Sequence, residues 1–249
     1  MRDPTEVVNE IVMLHARYGV KTFKIVDEMF VLNERHYTEI CKQLIATGLG
    51  QELNIWAYAR VDTVKPHTLE MFQKAGIRWL ALGIESGSKH VRDGALKALK
   101  TDDIVDVVRK IQQVGINVIG NYIFGLPDDD YDSMQATLVL ALQLNTEYAN
   151  FYCAQAYPGS KLYEEALRAD IELPKTWGGF SQHGEDTLPL RTEKLTAKQV
   201  LAFRDAAFHE YFENPLYLNK IAFQFGPAAA EEINKMTSFK LKRNLLEAA

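Results

Sequence analysis

The stretch RWLALGIESGS, Arg78 to Ser88, is an apolar run that stops at a glutamate followed by small residues. Successive side chains of a strand point to opposite faces, so leucine and isoleucine form one face of this run. The other face consists of Trp79, Ala81, Gly83 and Glu85. Because most of these residues are small, this face leaves room for a ligand beside Glu85. The alternative is an ordinary strand end with a solvated carboxylate.

Four other runs share the β-branched and aromatic composition of this strand. They are TFKIVD (Thr22 to Asp27), NIWAYA (Asn54 to Ala59), INVIGNYIF (Ile116 to Phe124) and YANFYCA (Tyr148 to Ala154). Segments with helical spacing lie between them, and several end at glycine, a common helix stop signal. This alternation is typical of parallel βαβ units with right-handed crossovers and predicts an α/β fold.

The two ends of the chain differ from this repeating pattern. The chain opens on a helix, DPTEVVNEIVMLHARYG, whereas a β/α barrel begins with a strand and its loop, so the sequence begins one element late. After the last strand and one further helix, residues 172–195 are rich in glycine, proline and polar residues, and helical patterns follow. We therefore expect a partial barrel over residues 1–170, a loop over 171–195 and a C-terminal helical extension over 196–249.

Composition excludes several functional classes. The 249 residues are 47% hydrophobic, enough for a large core, and 33 acidic residues are mixed with 28 basic ones, so we expect no nucleic acid partner. No run reaches about 18 apolar residues and no signal peptide is recognisable, which predicts a cytoplasmic protein without a membrane span. The two cysteines, Cys41 and Cys153, indicate a reducing compartment and cannot hold an iron-sulfur cluster or a tetrahedral zinc unaided, so no metal ligand is assigned.

Polar residues follow each predicted strand, at the end where α/β folds bind their ligands. They are Asp27 and Glu28, Arg60 and Asp62, Glu85 and Ser86, the GLPDDD segment from Gly125 to Asp130, and the QAYPGS segment from Gln155 to Ser160. Simpler interpretations remain open. The arginine and aspartate after the second strand could form a surface ion pair, the three aspartates could cap the next helix, and YPGS could be only a turn.

Taken in order, these segments resemble a known family. The strand motifs KTFKIVDEMFVLN, WAYARVDTV, LEMFQKAGIRWLALGIESGS, GINVIGNYIFGLPDDD and YPGSKLYEEA are similar to those of the radical S-adenosylmethionine (SAM) superfamily. More narrowly, they resemble the branch with an N-terminal cobalamin (B12)-binding domain, as does the segment from Thr176 to Leu218. The resemblance covers about residues 2 to 220.

This resemblance implies a partial TIM-like (β/α)6 barrel. In the family, a CxxxCxxC loop after the first strand holds a 4Fe-4S cluster that binds SAM, whose reductive cleavage yields a 5'-deoxyadenosyl radical. In many cobalamin-dependent members a methyl group passes through the cobalt. The implied cofactors are therefore SAM, the cluster and cobalamin.

The resemblance also assigns site residues. Asp27 and Glu28 match the motif that contacts the SAM amino group, and Glu85 and Ser86 match the motif that binds the ribose hydroxyls. Two further segments match motifs at the adenine: Ile123 to Pro127, including Gly125 and Leu126, and Gln155 to Pro158, including Tyr157. Arg60 is assigned to the SAM carboxylate, a pairing that suits arginine.

One departure from the family pattern is severe, because CxxxCxxC is absent. The first strand, the cluster loop and the cobalamin domain would all lie before Met1. A truncated gene or fragment, the second half of a split gene, and a degenerate homologue each fit, and the first is favoured. We expect such a chain to be inactive alone, and its exposed sheet edge predicts reduced stability or oligomerisation.

Three functions are therefore carried forward. The first is the SAM-binding catalytic barrel of a B12-type radical SAM enzyme. The second is a non-catalytic module that binds SAM, a related nucleoside or a protein. The third is an ordinary β/α-barrel enzyme whose acid-base groups are Glu85 with Asp27 or Glu28, although no phosphate-binding glycine loop, Schiff-base lysine or metal triad supports it. The substrate is not predictable from the sequence.

Overall fold

The computed structural model describes residues 1–27, 29–91 and 101–247. Of the predicted site residues, Glu28 alone lies outside the described residues. Among the helices that the structure describes, none is both long and apolar enough to cross a bilayer.

Five strands form one sheet in which spatial order follows chain order. They are β1 (Thr22–Lys24), β2 (Asn54–Arg60), β3 (Ile77–Glu85), β4 (Asn117–Phe124) and β5 (Tyr148–Cys153). The β1–β2 and β2–β3 pairs are parallel, with Lys24 beside Trp56 and Trp56 beside Trp79. Parallel strands joined in order through helices confirm the α/β class and the partial β/α barrel expected from the sequence.

Helices connect the strands and follow the last one. They are α1 (Pro4–Tyr18), α2 (Glu34–Ala46), α3 (Leu69–Lys74), α4 (Thr101–Gln113), α5 (Tyr131–Leu144), α6 (Lys161–Arg168), α7 (Ala197–Phe212), α8 (Pro215–Phe225), α9 (Pro227–Ser238) and α10 (Asn244–Glu247). Short 3-10 turns occur at Phe30–Leu32, Leu49–Gln51, Val61–Thr63, Pro66–Thr68 and Trp177–Phe180. Side-chain caps fix several helix starts, including Asp130 for α5 and Thr196 for α7.

The two faces of β3 differ in burial as the alternation predicts. Leu80 and Leu82 are fully buried and Ile84 is 2% exposed, whereas Trp79 and Gly83 on the other face remain partly exposed, with the small Ala81 buried between them. The same alternation runs along β2, where the partly exposed positions are Asn54, Trp56, Tyr58 and Arg60. The partly exposed faces are therefore the polar and aromatic ones, while the aliphatic faces form the core.

The chain forms two compact units. The first comprises Met1–Ile84, Leu99–Asn121 and Thr146–Ala149, and the second comprises Glu85–Ala98, Tyr122–Asn145 and Asn150–Ala249. The site residues predicted at the ends of β3, β4 and β5 belong to the second unit, whereas Asp27 and Arg60 belong to the first. The division into barrel, loop and extension at residues 170 and 195 stays a prediction.

Candidate functional site

The strand that carries Glu85 ends in an unusual backbone conformation. Glu85 has φ of 63°, in the left-handed region that favours glycine. Such a conformation costs a non-glycine residue roughly 1–3 kcal/mol and is found most often at binding and catalytic sites. The pleat of β3 therefore stops at Glu85, and the surrounding structure must hold this backbone conformation against local strain.

The residues after Glu85 are anchored to α5. Ser86 is fully buried, and its Oγ shares a 3.1 Å hydrogen bond with Thr137 Oγ1 and accepts one from the Ser88 amide. The Gly87 amide donates to the same Thr137 oxygen over 2.8 Å. A Cβ on Gly87 would lie 2.4 Å from the Ala136 carbonyl oxygen, so only glycine fits here. These contacts fix the loop that carries Glu85, while the predicted role of Ser86 at a ribose stays a prediction.

The loop after β4 is organised by a buried carboxylate, Asp129. Its Oδ2 accepts hydrogen bonds from the amides of Gly125 and Leu126 over 3.0 and 2.9 Å, and its Oδ1 accepts one of 2.6 Å from Ser133 Oγ. Burial raises the pKa of Asp129, although the bonds from Ser133, Leu126 and Gly125 act in the opposite direction. A buried carboxylate therefore holds this loop in place.

The residues predicted to lie at the adenine, Ile123 to Pro127, belong to the end of β4 and to the loop that Asp129 holds. Ile123 is partly exposed in β4, and Gly125 has φ of 79°, which glycine adopts without strain. Leu126 and Pro127 line a cavity of about 400 Å³ together with Val91, Asp128, Lys161, Leu162 and Glu165. Asp130 caps α5, as the sequence alternative predicted, and hydrogen bonds from Lys194 and the Ser133 amide lower its pKa to about 2.

The segment after β5 contains a buried carboxamide, that of Gln155. Gln155 is 7% exposed, and neither its Oε1 nor its Nε2 has a hydrogen-bond partner among the described residues. Its neighbour Ala154 donates from its amide to the Phe124 carbonyl over 2.8 Å, which ties the end of β5 to the end of β4. Tyr157 is 48% exposed, and its ring stacks on Phe180 with centroids 5.9 Å apart.

The predicted residues of the first unit are engaged in local contacts. Asp27 Oδ1 accepts the Met29 amide over 2.9 Å, and Asp27 borders a separate cavity of about 520 Å³ that Phe30 also lines. Arg60 makes a two-pronged ion pair with Asp62 through bonds of 2.9 and 2.7 Å, the simpler alternative that its sequence position left open. Its assignment to a SAM carboxylate stays a prediction.

Sequence reasoning missed the residues that hold these loops. Ser133 and Thr137 stand four residues apart on α5, and Thr137 Oγ1 donates to the Ser133 carbonyl over 2.9 Å. Ser133 then bonds to Asp129, so the ends of β3 and β4 are joined through one face of one helix. The spacing of two hydroxyl residues at positions i and i+4 was the available signal.

The residues present fit SAM but not the cluster. The Gln155 carboxamide, unpartnered among residues 1–27, 29–91 and 101–247, presents a donor and an acceptor together, as an adenine edge requires, and Glu85 offers an acceptor for hydroxyls. By contrast, no three metal-binding side chains come together within the described residues. Burial raises the pKa of both cysteine thiols to about 12, far from the thiolate that iron needs.

Comparison with known proteins identifies the family. The model of the radical SAM superfamily matches residues 1–141, more than half of the chain, so the chain belongs to this superfamily. The chain is 26% identical over 218 residues to an uncharacterized methyltransferase of Pyrococcus horikoshii, covering 88% of this chain and 46% of that protein. It is also 26% identical over 227 residues to the anaerobic magnesium-protoporphyrin IX monomethyl ester cyclase of Cereibacter sphaeroides, covering 90% of this chain and 36% of that enzyme.

A solved structure shares the fold. The radical S-adenosylmethionine methyltransferase TsrM of Kitasatospora setae, with cobalamin and a 4Fe-4S cluster bound, superposes with a TM-score of 0.62 at 17% identity. The match covers 70% of this chain and 33% of TsrM. The chain thus spans less than half the length of each of these proteins.

Proposed function

We propose that this chain is the SAM-binding part of a B12-type radical SAM enzyme, with methyl transfer as the finer expectation. The observation that carries the proposal is the buried Gln155 carboxamide, which has no hydrogen-bond partner in the part of the chain that the structure describes. Leaving a buried donor and acceptor without hydrogen bonds costs roughly 1–3 kcal/mol, so a bound ligand that satisfies them gains affinity. The matched methyltransferases and cyclase support the assignment of the branch.

Each residue of the site has a distinct part in holding the nucleoside. Gln155 reads the adenine edge, and the Gly125–Leu126 backbone, fixed by Asp129, forms a stationary surface beside the base. Glu85, held in its left-handed conformation, accepts from the ribose hydroxyls. When bound, SAM supplies the carbon-sulfur bond whose reductive cleavage is the chemistry of the superfamily.

The cluster and cobalamin belong to the proposal in a different way. Because the described residues bring together no set of cluster ligands, we infer that these ligands and the cobalamin site come from a preceding segment of polypeptide. The limited share of each relative that the chain covers is consistent with this inference. Reconstitution of the 249-residue chain with iron and sulfide should give no brown chromophore, whereas a chain extended upstream should acquire one.

A second candidate is a non-catalytic module that binds SAM or a related nucleoside. Cys41 and Cys153 are both buried, and burial raises the pKa of each thiol to about 12, so neither supplies a thiolate for catalysis by this chain alone. The two candidates share one site and differ in chemistry, so the reconstituted extended chain separates them. Cleavage of SAM under reducing conditions supports the enzyme, and binding without cleavage supports the module.

The direct test is calorimetric titration of the 249-residue chain with SAM. Gln155→Leu should weaken binding about tenfold or more, because the amide that pairs with the base is lost. Gln143→Leu, on an exposed position of α5, is the matched control and should bind as the unchanged chain does. Equal affinity of the two variants would show that Gln155 does not contact the nucleoside.

A further inference from the structure

The end of β5 is flanked by a loop in which the Gln182 side chain makes the pair of main-chain hydrogen bonds that a neighbouring strand would make. The Cys153 amide donates to Gln182 Oε1 over 2.9 Å, and Gln182 Nε2 donates to the Cys153 carbonyl over 2.9 Å. The Leu190 amide then donates to the Ala154 carbonyl over 3.0 Å. The loop from residue 182 to residue 190 thus fixes the two residues that immediately precede Gln155.

This loop is held in turn by one guanidinium from the far end of the chain. Arg243 is 2% exposed and donates to the carbonyl oxygens of Gln182 and Gly184 over 3.0 and 2.8 Å, and to Thr187 Oγ1 over 2.9 Å. Its other two bonds, of 2.9 and 3.0 Å, go to the two carboxylate oxygens of Asp205. Since a guanidinium has five N–H groups, every donor of Arg243 is used.

Asp205 connects this arginine to β5 by a second route. Arg204 Nη1 donates to Asp205 Oδ1 over 2.8 Å, while Arg204 Nε donates to the Phe151 carbonyl of β5 over 2.8 Å. Burial would raise the pKa of Asp205, but the bonds from Arg243 and Arg204 outweigh it and leave the pKa lowered. The carboxylate therefore stays charged and holds both guanidinium groups in fixed positions.

We infer that Arg243 is a positioning residue for the nucleoside site: through the Gln182 loop it sets the place of Cys153 and Ala154, and hence of the Gln155 carboxamide. This inference rests on the proposed function, because it takes Gln155 as part of that site. A base edge recognised by one donor and one acceptor needs both atoms in place before the ligand arrives, and displacements well below 1 Å weaken such bonds.

Two substitutions isolate the positioning effect. Arg243→Lys keeps the charge but offers three donors from a single atom, so it cannot span Asp205 and the loop together. Gln182→Met removes the pairing with Cys153 while leaving the main-chain oxygen that Arg243 contacts, and it serves where the first variant fails to fold. Lys242→Met is the matched control. Lys242 is the adjacent residue, and its side chain is exposed and, among the described residues, makes a surface ion pair of 3.4 Å with Glu185.

The first readout is hydrogen exchange of the full chain without ligand. Arg243→Lys and Gln182→Met should each speed exchange of the Cys153 amide about tenfold or more, because its acceptor is displaced or lost. Exchange of the Met134 amide, which donates to the Asp130 carbonyl at the start of α5, should stay unchanged. An unaltered Cys153 amide in both variants overturns the inference whether or not the chain binds SAM.

The second readout is the affinity for SAM, measured well below the unfolding temperature. Each variant should bind about tenfold more weakly than the unchanged chain, but in a Gln155→Leu background the same substitution should change affinity less than about twofold. Equal losses in both backgrounds would show that Arg243 acts elsewhere, and the inference fails. Absence of binding by the unchanged chain instead refutes the proposed function and leaves the exchange result to decide the positioning role.

Discussion

Removal of the Asp129 carboxylate should unravel the loop after β4. Asp129 is 1% exposed and accepts three hydrogen bonds, from the Gly125 and Leu126 amides and from the Ser133 hydroxyl. Asp129→Ala leaves at least the buried Gly125 amide unsatisfied, which costs about 1–3 kcal/mol, and forfeits about 1 kcal/mol for each remaining bond. Relief of the buried charge offsets part of this loss, so we expect a net destabilisation of about 3 kcal/mol.

Asp129→Asn is the matched control. Its side-chain oxygen can accept both amides, and its Nδ2 can donate to Ser133 Oγ, whose hydroxyl can turn to the Asp130 carbonyl 3.0 Å away. The expected cost is therefore about 1 kcal/mol or less. For a chain of this size the alanine variant should melt about 6–12 °C lower than the unchanged protein, as followed by circular dichroism. Equal melting temperatures of the alanine and asparagine variants would refute the hydrogen-bond argument.

The pH dependence supplies an independent check of the same residue. Because burial raises the pKa of Asp129, the folded chain binds this proton more tightly than the unfolded chain does. The ionised group therefore costs stability, and that cost appears as pH rises through its folded pKa. The difference in unfolding free energy between Asp129→Asn and the unchanged protein should accordingly shift in favour of the variant as pH is raised from about 4 to about 7, measured by urea unfolding. A constant difference across this range would contradict the raised pKa.

Further substitutions test the remaining parts of the site. Gly87→Ala should destabilise by about 1–3 kcal/mol in urea unfolding because its Cβ meets the main chain of α5, whereas Gly178→Ala, with 3.6 Å to its nearest neighbour, should cost less than about 1 kcal/mol. Glu85→Gly should raise the unfolding free energy by relieving the positive φ while weakening SAM binding in calorimetry; unchanged binding would remove Glu85 from the site. The lowered pKa of Asp130 means that its contribution is present above about pH 4 and lost as pH falls towards 2, a slope that Asp130→Asn should abolish in acid titration.

The strands and their faces were predictable because both are local properties of the chain. Alternation over Arg78 to Ile84 is visible in the letters, and the structure buries Leu80 and Leu82 and leaves Trp79 partly exposed, as expected. The βαβ order followed from turn and cap residues, and the superfamily match confirms what the ordered motifs indicated. The site residues themselves stay predictions, because their assignment depends on a ligand.

The missed features all depend on long-range or conformational information. Three consecutive aspartates, Asp128 to Asp130, look alike in the sequence, and only the path of the loop decides that Asp129 turns inward. The left-handed conformation of Glu85 is equally invisible, since glutamate is not a residue type that signals positive φ. Arg243 contacts a loop about sixty residues earlier, and no local pattern announces such a pairing.

Two costs at the candidate site bear on whether it is functional. Glu85 carries roughly 1–3 kcal/mol of backbone strain, and the Gln155 amide, which has no hydrogen-bond partner among the described residues, costs a similar amount. A glycine at the first position and a leucine at the second would remove both costs without enlarging the core. A nucleoside site needs its carboxylate and its carboxamide held in place before the ligand arrives, so both costs are expected at such a site. The strain at Glu85 and the buried Gln155 amide therefore support the proposed nucleoside site, whereas the described residues bring together no set of cluster ligands.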